Sequence, residues 1–340
     1  MINNTITFQT ASLPNYIKPY KAACDSTRDY IHKLRRGEIR SLKTSKKKLN
    51  EVLMNGIDWW RIMAVAGLPG GGKSTFISEL KRDFINLNKD QSFEVLSFEF
   101  EMRMEDQIAR DLSSKVGKTV KELYSYIEPL DDRSLQNVED TLEEMEKFPV
   151  FYVEKTQTAT EVCETIRNFA AIRDLGPQKG LVVTIDHILL TKGKSGESEK
   201  AKIDELCHAL VEVKKYFSAV GVPIIIVMLS QLNRDIQSVE RTSNPKLHYP
   251  NMNDLFAASS VYQCCDYVII IHRPSTIVGM GEYYGPAWKS HPQGLPVMCP
   301  TMPARSMIYL HVIKERFGTT KIISCIEDFA SAKITEYNFN

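Results

Sequence analysis

The chain has 340 residues, of which 43% are hydrophobic and 25% charged, and its formal net charge is +1 at pH 7. These values are typical of a globular protein with a full α/β core, and they exclude a chain that is disordered or strongly basic overall. Any nucleic-acid contact must therefore come from a local surface. Seven cysteines without CxxC spacing predict free thiols in a reducing compartment and argue against a zinc site. No apolar run is long enough for a membrane span and no signal-peptide pattern begins the chain, so we expect a cytoplasmic protein with no membrane partner.

The first predicted elements are an irregular arm and a helix. Pro14 and Pro19 interrupt residues 1–24, and a helical pattern follows over 25–36. We therefore predict an N-terminal arm and linker helix over 1–38 and a single domain over 39–340. Eight Lys or Arg and one acid lie between Lys33 and Lys48. That run is either a solvated linker or a segment that contacts a second subunit or phosphates.

From residue 61 onward, apolar strands alternate with helices. Strands are predicted over 61–66, 94–101, 150–153, 181–186, 223–229 and 267–271. Helices are predicted over 73–87, 104–116, two stretches within 119–147, 160–174 and 200–220. Strands without polar alternation predict a mostly parallel central sheet with helices on both faces. Residues 274–304 hold six prolines and predict a long loop insertion, after which 307–314 and 321–326 predict a C-terminal β-hairpin.

A Gly-rich turn follows the first of these strands and opens a helix. It fits the phosphate-binding pattern GxxxxGK(S/T), in the strand–turn–helix context that the pattern requires. Backbone N–H groups and the helix N-terminus favour phosphate there, lysine adds a full charge, and the serine hydroxyl suits Mg²⁺. The pattern predicts an α/β P-loop NTPase core that binds ATP and Mg²⁺. The predicted nucleotide-binding residues of the turn are Gly67, Leu68, Pro69, Gly70, Gly71, Gly72, Lys73, Ser74 and Thr75.

Acidic and amide side chains end three of the predicted strands. Asp186 ends an apolar strand and suits the Walker B role, holding Mg²⁺ together with Ser74. Glu99 and Glu101 lie two residues apart on one strand, so either could face the site, and Glu101 is nearer the strand tip. Gln231 follows another buried strand, where an amide can sense the γ-phosphate of ATP.

Taken together, these motifs resemble the DnaB-type replicative helicases with their RecA-like motor domain, and more closely the phage members of that family. The family's F-S-L-E-M strand motif is similar to F-E-F-E-M at 98–102, and its V-I-D-Y-L-Q-L to T-I-D-H-I-L-L at 184–190. Its L-S-Q-L-N-R is matched at every position by residues 229–234, and its K-x-R by K-E-R at 314–316. The resemblance spans roughly residues 40–330 in the family's order.

The resemblance implies roles for individual residues. It assigns the catalytic base to Glu101 and places Arg110 in the nucleotide site, together with Asp186 and Gln231. It makes Lys314 and Arg316 a finger that reaches the ATP of a neighbouring subunit. We therefore expect an ATP-dependent replicative DNA helicase, a homo-oligomer and most simply a hexamer, that translocates on single-stranded DNA. If it is phage-encoded, it works in the host cytoplasm, and a primase, loader or polymerase is a plausible partner.

The loops after the Walker B and Gln strands face the channel in RecA-like motors. Their cations predict sequence-independent contacts to phosphates: Lys192, Lys194, Arg234, Arg241 and Lys246. The family's fourth motif, however, has R-E-S-G where this chain has Phe256-Ala257-Ala258-Ser259, so DNA contact at that loop is an open question.

Three other readings stay open at this stage. A RecA-fold ATPase could act as an ATP-switched assembly or loader protein without unwinding DNA. A strand-exchange recombinase is disfavoured by the F-E-F-E-M strand and by K-x-R. A small-molecule kinase would need a lid, for which residues 274–304 are the only candidate.

Overall fold

The computed structural model describes residues 17–193, 196–244, 247–277, 307–328 and 331–337. Its contacts divide the chain into one unit that ends at Ser41 and another that begins at Leu42. The first unit contains helix α1, Tyr20–Arg36, which starts earlier than the predicted residue 25. Pro19 precedes this helix, where a missing N–H is tolerated, and Gly37 ends it in the left-handed conformation at φ 70°.

The second unit is built on one large sheet. Its strands are β1 Arg61–Gly67, β2 Phe93–Glu99, β3 Val150–Val153, β4 Gly180–Asp186, β5 Ile224–Gln231, β6 Tyr267–His272, β7 Met307–Glu315, β8 Lys321–Asp328 and β9 Lys333–Glu336. Its α-helices are α2 Lys47–Val52, α3 Lys73–Leu87, α4 Met104–Val116, α5 Val120–Leu123, α6 Asp132–Met145, α7 Ala159–Ile172, α8 Glu199–Ala219, α9 Val239–Ser243 and α10 Ala258–Cys264.

The strand order is β3-β2-β4-β5-β1-β6-β7-β8-β9. The first six strands in this order pair in parallel, and β7, β8 and β9 are antiparallel. This confirms the predicted α/β fold with its mostly parallel sheet and C-terminal hairpin. The hairpin is extended by β9, which is too short and too polar on its outer face to show in the sequence pattern.

Both faces of the parallel strands are covered. On β1, Ile62 and Ala64 point to one face and Met63 and Val65 to the other, and all four are fully buried. The first face packs against α7 and α8 in one apolar core. Apolar positions that alternate between two buried faces explain why these strands have no polar period in the sequence.

The end of β2 differs from the prediction. The strand stops at Glu99, which pairs with Asp186, the last residue of β4. One further hydrogen bond, from Phe100 N to the Asp186 carbonyl at 2.8 Å, closes the ladder. With no partner strand beyond that point, the chain bends toward α4, and Glu101 lies in the loop rather than on the strand.

Two predicted features fall partly or wholly outside the described residues. Of the predicted 274–304 insertion, only Pro274–Thr276, a short 3₁₀ helix, and Ile277 are described. Lys194 and Lys246 also lie outside the described residues. Among the helices that are described, none is both long and apolar enough to cross a bilayer.

Candidate active site

The turn between β1 and α3 has a backbone that only glycine adopts easily. Gly70 and Gly72 have φ of 70° and 95°, in the left-handed region. At Gly67, an added Cβ would lie 2.8 Å from the carbonyl oxygen of Ile271, at the end of β6. The predicted P-loop is therefore fixed by its own conformation and by the neighbouring strand.

A cleft of about 410 Å³ opens over this turn and gathers residues from five segments of the chain. Of the predicted site residues it is lined by Pro69, Gly70, Gly71, Gly72, Lys73, Ser74, Thr75, Glu101, Arg110, Asp186 and Gln231. Gly67 and Leu68 start the turn but do not line the cleft. Leu68 instead packs in the apolar core.

Lys73 is held inside the turn. Its ammonium donates to the carbonyl oxygens of Gly67 at 3.0 Å and Leu68 at 3.1 Å. Burial lowers the pKa of Lys73, and the nearby Asp186 and Glu101 carboxylates oppose that effect. The side chain thus places a cation among backbone groups that would surround a phosphate.

Asp186 is the buried acid of the cleft. Burial raises its pKa to about 6, the Glu99 and Glu101 carboxylates add to the rise, and a hydrogen bond with Ser74 opposes it. Its Oδ1 is buried and has no hydrogen-bond partner among the described residues. A carboxylate oxygen left open beside a serine hydroxyl fits Mg²⁺, which takes one or two protein ligands and shares substrate phosphates. Ser74 and Asp186 would hold the ion.

The two candidate glutamates have different environments. Glu99 is buried in an ion pair with Lys81 at 3.0 Å and accepts from Gln107 at 2.9 Å. Ser97 donates to the same carboxylate at 2.6 Å. Glu99 is therefore committed to holding β2 against α3 and α4. Glu101 is exposed at the cleft wall, where a carboxylate can contact an attacking water.

His187, which the sequence reasoning did not single out, also lines the cleft. It is only 4% exposed, and burial together with the Lys73 charge lowers its pKa to about 4, so the ring is neutral at pH 7. Its Nδ1 accepts from the N–H of Leu189 at 3.2 Å. Its place directly after the Walker B aspartate was the available signal. The cleft also includes Met102, the last residue of the F-E-F-E-M motif, and Ser113, Val120 and Ala332, which no motif marked.

Gln231 ends β5 at the cleft, and its backbone is hydrogen-bonded to the segment that precedes α10. Its carbonyl accepts from Phe256 N at 2.9 Å. Leu232 bridges to Leu255, and Asn233 N donates to Asp254 O at 2.8 Å. A change at the Gln231 side chain would therefore act directly on the backbone that leads into α10.

Lys314 and Arg316 lie far from this cleft. They are at the end of β7, which pairs with the start of β6, whereas the P-loop follows the end of β1. Arg316 Nε lies 3.1 Å from Asp266, whose N–H donates to the carbonyl oxygen of Ile62 near the start of β1. From Ile62 to Gly67 the strand rises roughly 16 Å, at about 3.3 Å per residue. The chain does not bring these two cations to its own cleft.

The residues predicted to contact nucleic acid differ in their exposure and in their partners. Lys192 and Arg234 are exposed on their loops. Arg241 instead pairs with the buried Asp254 carboxylate at 2.7 and 3.1 Å, and it also donates to two carbonyl oxygens. Because its donors are engaged within the chain, the geometry gives Arg241 the task of fixing its loop rather than contacting phosphates.

Comparisons with known proteins identify the family of this chain. A profile described as the DnaB-like helicase C terminal domain matches residues 41–333. The chain belongs to this DnaB-like helicase family. It is 30% identical over 241 residues to a protein named replicative DNA helicase DnaB from Leifsonia xyli subsp. xyli (strain CTCB07). That match covers 70% of this chain and 48% of the relative, so the chain spans about half of that relative's length.

Solved structures share the DnaB-like fold at low sequence identity. One is described as an ATPase domain, with a TM-score of 0.73 and 14% identity, covering 95% of this chain and all of that one. Another is described as a DnaB-like replicative helicase and its interactions with primase, with a TM-score of 0.67 and 15% identity. That match covers 92% of this chain and 66% of the other. At these identities, the likeness supports the RecA-like fold alone.

Proposed function

We propose that this chain is the motor part of an ATP-dependent replicative DNA helicase, a ring that moves along single-stranded DNA. The observation that carries the proposal is the division of the site. The residues proposed to bind phosphate and metal and to act as the base share one cleft at the carboxyl ends of the parallel strands. The two cations of K-x-R lie at the opposite ends of these strands. A second copy of the chain is needed to complete the site.

Within one subunit, each cleft residue has a chemical task. Lys73 and the turn amides neutralise the phosphates of ATP, and Arg110 lines the nucleotide site. Glu101 accepts a proton from the attacking water, a role in which general bases contribute about 10²–10⁴ in rate. Gln231 contacts the terminal phosphate and passes its loss to the loop beyond β5. When bound by Ser74 and Asp186, Mg²⁺ would neutralise charge that develops on the phosphates.

The second subunit supplies the remaining charge. Arg316 is 47% exposed, so it is available to a neighbouring molecule. Arginine fingers supplied in trans contribute about 10³–10⁵ in rate. Hydrolysis should therefore depend on assembly, which ties each ATP to the geometry of an interface. A hexamer is the simplest closed ring consistent with the family.

Helix α1 supports the same assembly. It is amphipathic, and its apolar residues Ile31 and Leu34 are 57% and 43% exposed. An exposed apolar stripe on a helix outside the motor unit is suited to packing on another subunit. The proposal includes this docking. It also includes contact with a primase, because the description of one structural neighbour names interactions of that helicase with primase.

The DNA track would run past the loops after β4 and β5. Lys192 and Arg234 are exposed there and can contact phosphates without reading bases. Two observations favour a second candidate, an ATP-switched assembly or loader protein. The fourth motif has Phe256 and Ala257 where the family has Arg and Glu, and Arg241 is locked to Asp254.

Three measurements separate the two candidates: steady-state ATP hydrolysis with and without an unstructured single strand of DNA, unwinding of a forked duplex, and the oligomer mass. The helicase proposal predicts a ring-sized mass, hydrolysis stimulated severalfold by the strand, and unwinding. Hydrolysis that ignores the strand, in a ring that does not unwind, would favour the assembly protein. The control is Arg234→Ala with Lys192→Ala, which should reduce stimulation and leave the basal rate unchanged.

A further inference from the structure

Asp266 is a completely buried carboxylate between α10 and β6. One of its two oxygens is firmly held. Oδ2 accepts from the backbone N–H of Ile62 at 2.9 Å and from the ammonium of Lys214 at 2.8 Å. A buried charge is tolerated only with such partners, and here a strand and α8 supply them.

The other oxygen of Asp266 faces the K-x-R turn. Oδ1 lies 3.1 Å from Arg316 Nε and 3.9 Å from Arg61 Nη1. The guanidinium of Arg61 in turn stacks 5.0 Å from the ring centre of Phe317, which is 66% exposed. The carboxylate of Asp266 thus connects Ile62 N and Lys214, which hold one oxygen, with the half-exposed Arg316 at the other oxygen.

Lys314 is held from the same side of the molecule. Its ammonium lies 4.7 Å from the ring centre of Tyr262 on α10 and donates to the carbonyl oxygen of that residue. Both cations of K-x-R are therefore held by α10 or by Asp266, which lies between α10 and β6. The segment that leads into α10, residues 254–256, is hydrogen-bonded to Gln231 and the loop after it.

We propose that Asp266 is a positioning residue that aims the Arg316 finger at the neighbouring subunit's ATP. This inference rests on the proposed function, since it needs a finger that acts in trans. An arginine side chain has many rotamers and loses conformational entropy when it is fixed. If Asp266 fixes Arg316 before ATP binds, this entropy is not lost during the reaction. Asp266 contacts Arg316 through Nε, so the two Nη groups of the guanidinium can meet a phosphate while the pair with Asp266 holds.

Asp266→Asn tests the role, because it removes the charge and keeps an oxygen for Ile62 N. We expect kcat for ATP to fall roughly ten- to a hundredfold, while KM for ATP and affinity for single strands change less than about twofold. Lys214→Met is the matched control, since it removes the cation on Oδ2 and leaves the Asp266–Arg316 pair on Oδ1 in place. Its kcat should stay near wild type. If Asp266→Asn alone folds poorly, the double variant with Lys214→Met removes the unpaired lysine and serves instead.

Mixed rings separate a finger defect from general damage. Glu101→Gln subunits have a dead site and an intact finger, and Arg316→Ala subunits have the reverse, so mixing them should restore hydrolysis. Asp266→Asn should regain activity when mixed with Glu101→Gln and should gain none with Arg316→Ala. Restoration with Arg316→Ala would overturn the inference, because the Asp266→Asn finger would then work. Failure with both partners would also overturn it, because the variant's own site would be damaged. If Glu101→Gln and Arg316→Ala do not restore each other, the shared site itself is wrong.

Discussion

Asp186→Asn should stabilise the nucleotide-free protein while it abolishes ATP hydrolysis. Burial beside Glu99 and Glu101 raises the pKa of Asp186 from 3.8 to about 6. At about 1.4 kcal/mol for each pH unit, the ionised carboxylate destabilises the native state by about 3 kcal/mol. The amide removes that charge, so Tm at pH 8 should rise by about 5 °C for a domain of this size.

The pH dependence gives this prediction its sign. A carboxyl whose native pKa is raised binds a proton more tightly when folded, so its cost is complete above about pH 7. The cost declines as pH falls below about 6 and vanishes below about pH 3, where both states are protonated. The stability gain of Asp186→Asn over wild type should follow the same curve.

Thermal unfolding of both proteins between pH 4 and 8 measures this curve, with Glu143→Gln as the control. Glu143 is exposed on α6, so its substitution makes the same change in net charge without burial. A Tm at pH 8 equal to or below wild type would refute the reasoning. Mg²⁺ with ATP should stabilise wild type more than Asp186→Asn, because the variant lacks the charged ligand.

Three further predictions concern Glu101 with Glu99, Arg241 and His272. Glu101→Gln should bind ATP normally in a fluorescence titration and lose at least about 10²-fold in kcat. Glu99→Gln should instead lower the free energy of unfolding by about 3 kcal/mol or more. The reverse pattern would exchange the roles of the two glutamates. Arg241→Ala leaves Asp254 buried and unpaired, so urea unfolding should show a loss of about 3–5 kcal/mol, and an unchanged midpoint would contradict the pairing. Burial lowers the pKa of His272 to about 3, so wild type should lose stability as pH falls below 6.5, and His272→Phe should flatten that loss in a Tm series.

Much of the motor fold could be predicted because its signals are local. Continuous apolar runs mark β1, β4 and β5, and the predicted bounds of these strands agree with the structure to within one or two residues. Where structure depends on a neighbouring strand, the sequence was less informative. The end of β2 is set by the end of β4, and β9 exists only because β8 offers it an edge.

The candidate site divides in the same way. Lys73, Asp186 and Gln231 follow from motif and strand position, and the cleft does gather them. The choice between Glu99 and Glu101 needed either the family or the structure, because both share a face in the sequence pattern. Arg241 is a predicted phosphate contact because it is a cation on the loop after the Gln strand, and its partner Asp254 lies 13 residues away. Such pairings between distant residues leave no periodic signal.

Specific ATPase activity measured against assembly state tests the central claim most directly. The protein would be diluted across its assembly transition, with the mass and the ATP affinity measured at each concentration. A site shared between subunits predicts that single subunits bind ATP and hardly hydrolyse it, and that kcat rises in step with the ring. Full hydrolysis by single subunits would contradict the account, because each chain would then hold a complete site of its own.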